Sequence, residues 1–169
     1  MDYDIIFSDR KTVSLSIKEG RLTVRAPRGA SSRDVKKIVE KNSDWIEKHL
    51  EKSKAKCERF SSLTDSDISA LKKSAKAYFK NKTEEYAKIM GIKYGRITIT
   101  SAKTRFGACS SKGNISYSYR LMLYPDAAKE YVVVHELCHR IHMNHSKDFY
   151  RLLESFMPDY KERRKLLKS

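Results

Sequence analysis

The feature that most restricts how this chain folds is a histidine cluster near its C-terminus. Four of its five histidines lie in "VVVHELCHRIHMNH", residues 132–145. His135, Glu136 and His139 form the pattern H-E-x-x-H, and on an α-helix the two histidines lie one turn and about 40° apart. Both imidazoles can then reach one zinc ion, so the pattern predicts a metal site that needs a third protein ligand.

Three residues compete for the third ligand position. His142 returns to the same helix face, but it lies about 10.5 Å from His135 along the axis. Three ligands in one row would approach the ion almost in line, which does not suit tetrahedral zinc. His145 is suitable only if the helix ends before it and the chain turns back. Glu154, on the following helix, is the alternative, as in peptidases whose third ligand is a downstream glutamate.

The sequence around His145 contains the signals for such a turn. Asn144 tolerates the left-handed conformation found at helix ends. Ser146 can cap the next helix, and Asp148 is favourable in its first turn. The spacing H-E-x-x-H-x-x-x-x-x-H matches metzincin ligands, although His142 replaces the glycine of that motif. The predicted metal ligands are therefore His135, His139 and His145.

The chain is strongly basic, with 36 Lys and Arg residues against 21 Asp and Glu residues and a formal net charge of +15. Such a charge attracts polyanions, which predicts weak, sequence-independent binding to nucleic acid. A solvated basic surface without a binding role explains the charge equally well, because the lysines are spread along helices.

Cysteine usage and hydropathy predict a cytoplasmic protein without a membrane partner. Cys57, Cys109 and Cys138 are far apart and form no C-x-x-C pair, which is typical of reduced thiols. No segment is long and apolar enough to span a membrane. The start "MDYDIIFSDRKT" lacks the basic and apolar regions of a signal peptide.

Hydrophobic periodicity predicts an α+β fold. Alternating apolar residues on both sides of "KEGR" indicate a β-hairpin, and "YDIIF" is a candidate third strand. One helix follows Ser31 and Ser32, and a long helix runs from Asp65 to near Gly91 with Ile89 on its inward face. "RITIT" and "GNISYSYRLMLYP" indicate further strands.

The chain from Asp126 onward is predicted to be helical. One helix begins at Asp126 and continues through the histidine cluster, a second covers residues 146–157, and a basic terminal helix follows Pro158. The predicted organisation is an N-terminal β-hairpin/helix unit, residues 1–56, and a catalytic half, residues 64–169. The polar segment "CERFSSLT" is the predicted linker within one compact domain.

Two sequence blocks, "RFGACSSKGNISYSYRLMLYP" and "YVVVHELCHRIHMNHSKDFYRLL", resemble the YgjP-like metallopeptidase domain family. The residues that match the family's pattern are Arg105, Gly107, Cys109, Ser110, Asn114, Arg120, Leu121, His135, Glu136, His139, Asn144, His145, Ser146 and Phe149. Phe106 replaces the family's usual Trp, Ala108 its usual Ser, and Tyr150 the aromatic Trp that follows the Phe of its second block. The resemblance implies a zincin-like fold, a helical "VVV" segment, and a zinc-dependent peptidase with three histidine ligands.

The leading hypothesis is a zinc metalloendopeptidase that acts on protein or peptide substrates. Glu136 is the predicted catalytic general base, and "NISYSYRLML" is the predicted strand along which substrate binds. A nucleic-acid-associated protein with a structural zinc site, a DNA-linked protease and an inactive interaction domain are the alternatives. Glu136 argues against a structural site, because such sites close all four zinc positions and need no adjacent base.

Overall fold

The structure, a computed structural model, describes residues 2–168 and, within them, all side chains except those of Lys56 and Arg59. The chain forms two compact units, Met1–Leu63 and Thr64–Ser169. Both contain helices and a small sheet, so the prediction of an α+β fold is confirmed.

The N-terminal unit contains a three-stranded sheet in the order β1-β3-β2. Its strands are β1 (Tyr3–Ser8), β2 (Ser14–Lys18) and β3 (Arg21–Pro27). β2 and β3 form the predicted hairpin, whose turn has positive φ at Glu19 and Gly20, as the twist of a two-residue hairpin turn requires. The segment "YDIIF" does form a third strand, parallel to β3.

Two helices follow, α1 (Ser32–Lys41) and α2 (Ser43–Ser61), where the sequence predicted one. The break is at Asn42, whose side-chain amide donates to the carbonyl of Ile38 at 2.7 Å. Asparagine competes with helical backbone bonds in this way. The linker prediction is wrong for residues 57–61, which are helical. Their polarity indicated a loop, but a helix surface is equally polar.

The C-terminal unit begins with a long helix, α3 (Asp65–Met90), and contains a second three-stranded sheet. The strands are β4 (Ile97–Thr100), β5 (Gly107–Cys109) and β6 (Ile115–Ser118). β6 is central, parallel to β4 and antiparallel to β5. The α-helices that follow are α4 (Asp126–Cys138), α5 (Lys147–Phe156) and α6 (Tyr160–Lys165), and a short 3₁₀ helix covers Leu166–Lys168.

α3 packs on the central strand β6. The Phe79 ring stacks on Tyr117 with 4.5 Å between centroids, and the Thr83 hydroxyl lies 3.0 Å from the Tyr117 hydroxyl. The buried face advances mostly by four residues, through Ala75, Phe79, Thr83, Ala87 and Met90. Ile89, predicted to face inward, is 61% exposed, because the buried face passes through Met90 and Ile89 lies about 100° away from it around the helix.

The segment "NISYSYRLML" differs from its prediction as one strand. Only Ile115–Ser118 is extended, and Tyr119–Leu123 forms a 3₁₀ helix whose first turn is capped by the Ser118 side chain. β6 is paired on both sides, so it cannot also pair with a substrate. The prediction that this strand binds substrate is therefore wrong. β4 and β5 are the two edge strands of this sheet, and β5 is the one that packs against α4.

The "VVV" segment is helical, as predicted, and Val132, Val133 and Val134 are buried in α4. Burial of these side chains outweighs their modest cost in helix propensity. None of the helices that the structure describes combines the length with the hydropathy of a bilayer-spanning segment. Cys57, Cys109 and Cys138 form no disulfide.

Candidate metal centre

The first two residues of the candidate site come from the last turn of α4, and the third comes from the loop that follows. His135 and His139 lie one helical turn apart, and the chain then reverses to bring His145 back to them. One nitrogen from each imidazole lies within 4.8 Å of the other two. The Nε2 atoms of His135 and His145 are 3.0 Å apart.

The reversal differs in detail from the prediction. α4 ends at Cys138 instead of continuing to Asn144, because the amides of Arg140 and Ile141 bond to carbonyls three residues back and tighten the turn. Glu19 is the only non-glycine residue with positive φ between residues 2 and 168, so Asn144 is not left-handed. Ser146 does cap the next helix, accepting from the amide of Phe149 at 3.3 Å.

The two rival ligands lie outside the cluster. Glu154 is exposed on α5, and its carboxylate is not among the groups that converge. The His142 imidazole is also absent from the cluster, but its main-chain carbonyl is used. The carbonyl accepts a hydrogen bond from Nδ1 of His139 at 3.0 Å.

That bond and a second contact fix which ring nitrogens face the centre. His139 has Nδ1 bound to the backbone, which leaves Nε2 for the cluster. Nδ1 of His135 lies 3.4 Å from the Tyr131 hydroxyl, while its Nε2 faces His145. Partners of this kind on the outer nitrogen are what orient the histidine ligands of metal sites.

Phe149 forms the apolar support of the cluster. It is fully buried on the first turns of α5. Its ring centroid lies 4.9 Å from that of His135, 4.7 Å from that of His139 and 4.8 Å from that of His145. One aromatic ring therefore packs against all three imidazoles and restricts how they rotate.

Burial favours the neutral form of His135 and His139, which is the form that metal binding needs. Burial, helped by the positive potential of His139, His145 and Arg164, lowers the pKa of His135 to about 3. Burial also lowers the pKa of His139.

The donor set fits a metal site. Zinc with nitrogen ligands at about 2.0–2.1 Å places tetrahedral neighbours about 3.3–3.4 Å apart. The 3.0 Å between His135 and His145 lies close to that separation. Three neutral imidazoles are also one of the donor sets found in catalytic zinc sites.

Glu136 is a buried carboxyl beside this cluster. It is 5% exposed, and burial raises its pKa to about 8 against the opposing positive charge of Arg105. Its side chain lies against β5: a Cβ atom placed on Gly107 would be 2.5 Å from Oε1. Gly107, one of the residues that match the family pattern, therefore leaves room for the Glu136 side chain. The sequence does not reveal this contact, because it depends on how β5 pairs within the sheet.

β5 offers one edge for further pairing. The amide of Ser118 bonds to the carbonyl of Phe106, and the amide of Ser110 bonds to the carbonyl of Asn114. In an antiparallel pair the alternate residues then direct their backbone groups away from the partner strand. Gly107 and Cys109 occupy those positions, next to Glu136.

A family model described as "YgjP-like, metallopeptidase domain" matches residues 11–67 and 61–169. The chain belongs to the YgjP-like metallopeptidase family. The recognition made from its two sequence blocks is confirmed, and the protein is a metallopeptidase whose substrates are proteins or peptides.

Among solved structures, the crystal structure of the metallopeptidase zymogen of Pyrococcus abyssi, abylysin, is similar to this YgjP-like chain. The TM-score is 0.49 and the sequence identity 23%, over 53% of this chain and 90% of abylysin. No curated protein matches the chain.

Proposed function

We propose that this protein is a zinc-dependent endopeptidase in which His135, His139 and His145 bind the metal and Glu136 is the general base. The observation that supports this most is the convergence of three imidazoles, with a buried carboxyl on the residue that follows His135. A structural zinc site would fill its fourth position with another protein ligand. Among the described residues, no fourth His, Cys, Asp or Glu joins the cluster.

A catalytic zinc, when bound, makes water acidic enough to ionise near neutral pH and polarises the carbonyl of the substrate. Glu136 performs the proton transfers. Its carboxylate takes a proton from the attacking water as the oxygen bonds to the carbonyl carbon. The same carboxyl then gives the proton to the amine nitrogen as the C–N bond breaks. A general base is most effective when its pKa lies near the operating pH, and burial moves Glu136 in that direction.

The substrate is proposed to bind in extended form along β5. The backbone groups of Gly107 and Cys109 point away from β6, so a peptide can add to the sheet there. Because Glu136 lies against Gly107, a peptide bound along β5 passes the general base. An edge strand forms hydrogen bonds with main-chain groups, so this interaction can position peptides of many different sequences.

Metal analysis combined with proteolysis tests the proposal. Wild type, Glu136→Gln and the matched control Glu154→Gln are purified, their zinc is quantified, and cleavage of unfolded casein is followed. We expect equal zinc in all three, with turnover lost only in Glu136→Gln, by roughly 10²-fold or more. Equal turnover in Glu136→Gln would remove the general base. Zinc lost in Glu154→Gln would mean that the ligand set is wrong.

A further inference from the structure

A cavity of about 470 Å³ opens directly beside the histidine cluster. His135 and His145 form part of its lining. Its other walls include three aromatic side chains, those of Phe106, Tyr131 and Tyr150, and its remaining lining includes two cations, Arg164 and Lys168. A volume of this size holds an amino-acid side chain with part of the adjoining backbone. The cavity is therefore placed to receive the substrate residue next to the bond that is cut.

α6 is held in place by the arginine that precedes Arg164. Arg163 donates to Glu130 of α4 at 2.9 Å and to Asp159 at 2.8 Å. Lys82 of α3 binds the other oxygen of Glu130 at 3.1 Å. These bonds hold α6 to α4, and α4 carries the two histidines of the H-E-x-x-H pattern.

Arg164 follows Arg163 on the helix, so its side chain points about 100° away and lines the cavity. Lys168, a second cation, also lines the cavity. Among the described residues that line the cavity, none is acidic. The cavity lining is thus rich in aromatic side chains and carries positive charge.

We propose that this cavity binds a carboxylate of the substrate close to the scissile bond, and that Arg164 selects it. The proposal rests on the proposed peptidase function and names a substrate class for it. A guanidinium offers a planar pair of donors that matches a carboxylate, whereas it repels a substrate ammonium group. The aromatic walls pack against the methylene groups that carry the carboxylate.

The carboxylate can come from two sources, an Asp or Glu side chain or the C-terminus of a peptide that ends in the cavity. Three peptide series distinguish them. The first varies Glu, Gln and Lys at each position around the cleaved bond, with mass spectrometry locating the cut. The second ends at the residue that enters the cavity with a free carboxylate, and the third ends there with an amide. Preference within the first series indicates a side chain, and preference for the second over the third indicates a terminus.

The variant Arg164→Gln tests the role of the arginine, with Lys165→Gln as a control of equal charge change on the same helix. Lys165 pairs with Glu162 and is not part of the cavity lining. We expect wild type and Lys165→Gln to prefer the carboxylate substrate by roughly tenfold in kcat/KM, about 1.4 kcal/mol. Arg164→Gln should lose this preference, and Arg164→Glu should favour the Lys peptide. Equal cleavage of all peptides by wild type, or a preference unchanged in Arg164→Gln, would overturn the proposal.

Binding to the Glu136→Gln variant separates this inference from the peptidase function. Kd values are measured on zinc-loaded Glu136→Gln, with and without Arg164→Gln, for fluorescent Glu and Gln peptides and for the peptides that end in a free carboxylate or an amide. Tighter binding of either carboxylate peptide that depends on Arg164, without cleavage by wild type, would support the cavity proposal and refute the proposed peptidase function. Zinc-dependent cleavage by wild type, with equal Kd values within both pairs, would support the peptidase function and refute the cavity proposal.

Discussion

Gly107 and the Glu136 side chain approach each other so closely that a methyl group on Gly107 has no room. A Cβ atom built there would lie 2.5 Å from Oε1, 2.8 Å from Cγ and 2.9 Å from Cδ of Glu136. The carboxyl of Glu136 is therefore held against the edge strand β5. Its position depends on the backbone of that strand as well as on α4.

Replacement of Gly107 by alanine should impair catalysis without removing the metal. The new methyl group must displace the Glu136 carboxyl, and a displacement of about 1 Å in a catalytic group can cost on the order of 10²-fold in rate. We expect zinc content to stay at the wild-type value while kcat falls at least tenfold. Gly29→Ala is the matched control, since nothing lies within 4 Å of its added Cβ. Wild-type kcat in Gly107→Ala would show that Glu136 tolerates the displacement.

Alanine replacement of His145 and of His142 should affect zinc binding differently. His145→Ala should lose most of its zinc, because its imidazole nitrogen faces that of His135 at 3.0 Å. His142→Ala should keep its zinc, because His142 contributes a main-chain carbonyl that alanine also has. Metal content after dialysis against a weak chelator measures both. An emptied site in His142→Ala, with zinc retained in His145→Ala, would reverse the ligand assignment.

With zinc removed by a chelator, Glu136 should make folding stability depend on pH. Burial raises its folded-state pKa from 4.5 to about 8, so the fold favours the protonated carboxyl. That contribution to stability is fully present below pH 4.5 and is lost as the pH rises through 8. Glutamine does not ionise. The free energy of unfolding of wild type relative to Glu136→Gln should therefore fall between pH 5 and pH 8, by on the order of 3 kcal/mol.

Urea denaturation of both proteins at several pH values measures this difference. Burial also lowers the pKa of His135, which makes the free energy of unfolding rise with pH in the acidic range. Both proteins contain His135, so this effect cancels in the difference between them. A difference between the two proteins that does not change with pH would contradict the raised pKa of Glu136.

Nucleic acid should bind weakly and without sequence preference. The net charge of +15 includes exposed lysines on α1 and the basic segment "KERRKLLKS" at the C-terminus. Phosphate contacts release counterions, so log K should fall against log salt with a slope of about −0.9 per phosphate contacted on duplex DNA. Fluorescence anisotropy with labelled duplex and single-stranded DNA across a salt series measures the slope. No binding at low salt would show that the basic surface is solvated and has no role in binding nucleic acid.

The convergence of the three histidines was predictable because it depends on residues that are close together in the sequence. The helix period relates His135 to His139, and the capping signal of Ser146 places the restart just after His145. The end of α4 was predicted too late, because i-to-i+3 bonds tighten the backbone without needing a glycine or a left-handed residue.

The strand arrangement around the site was not predictable in the same way. "NISYSYRLML" alternates like an edge strand, but pairing with β4 and β5 makes its first part central. These partners are distant in sequence, and hydrophobic alternation does not reveal strand order. The contacts of Gly107 with Glu136 and of Phe149 with the imidazoles are of the same kind. They join different elements of the fold, so they become visible only once the sheet and helices are assembled.

The early end of α4 has an electrostatic consequence for the candidate metal centre. Cys138 is the last helical residue and His139 is its C-cap, so His135 and His139 lie in the final turn. The aligned peptide dipoles of a helix place about half a negative charge at this end, and the effect is concentrated in that turn. A dication held by His135, His139 and His145 would therefore lie in a negative potential supplied by the main chain. The backbone acts as a fractional counter-ion, which substitution of a side chain does not remove.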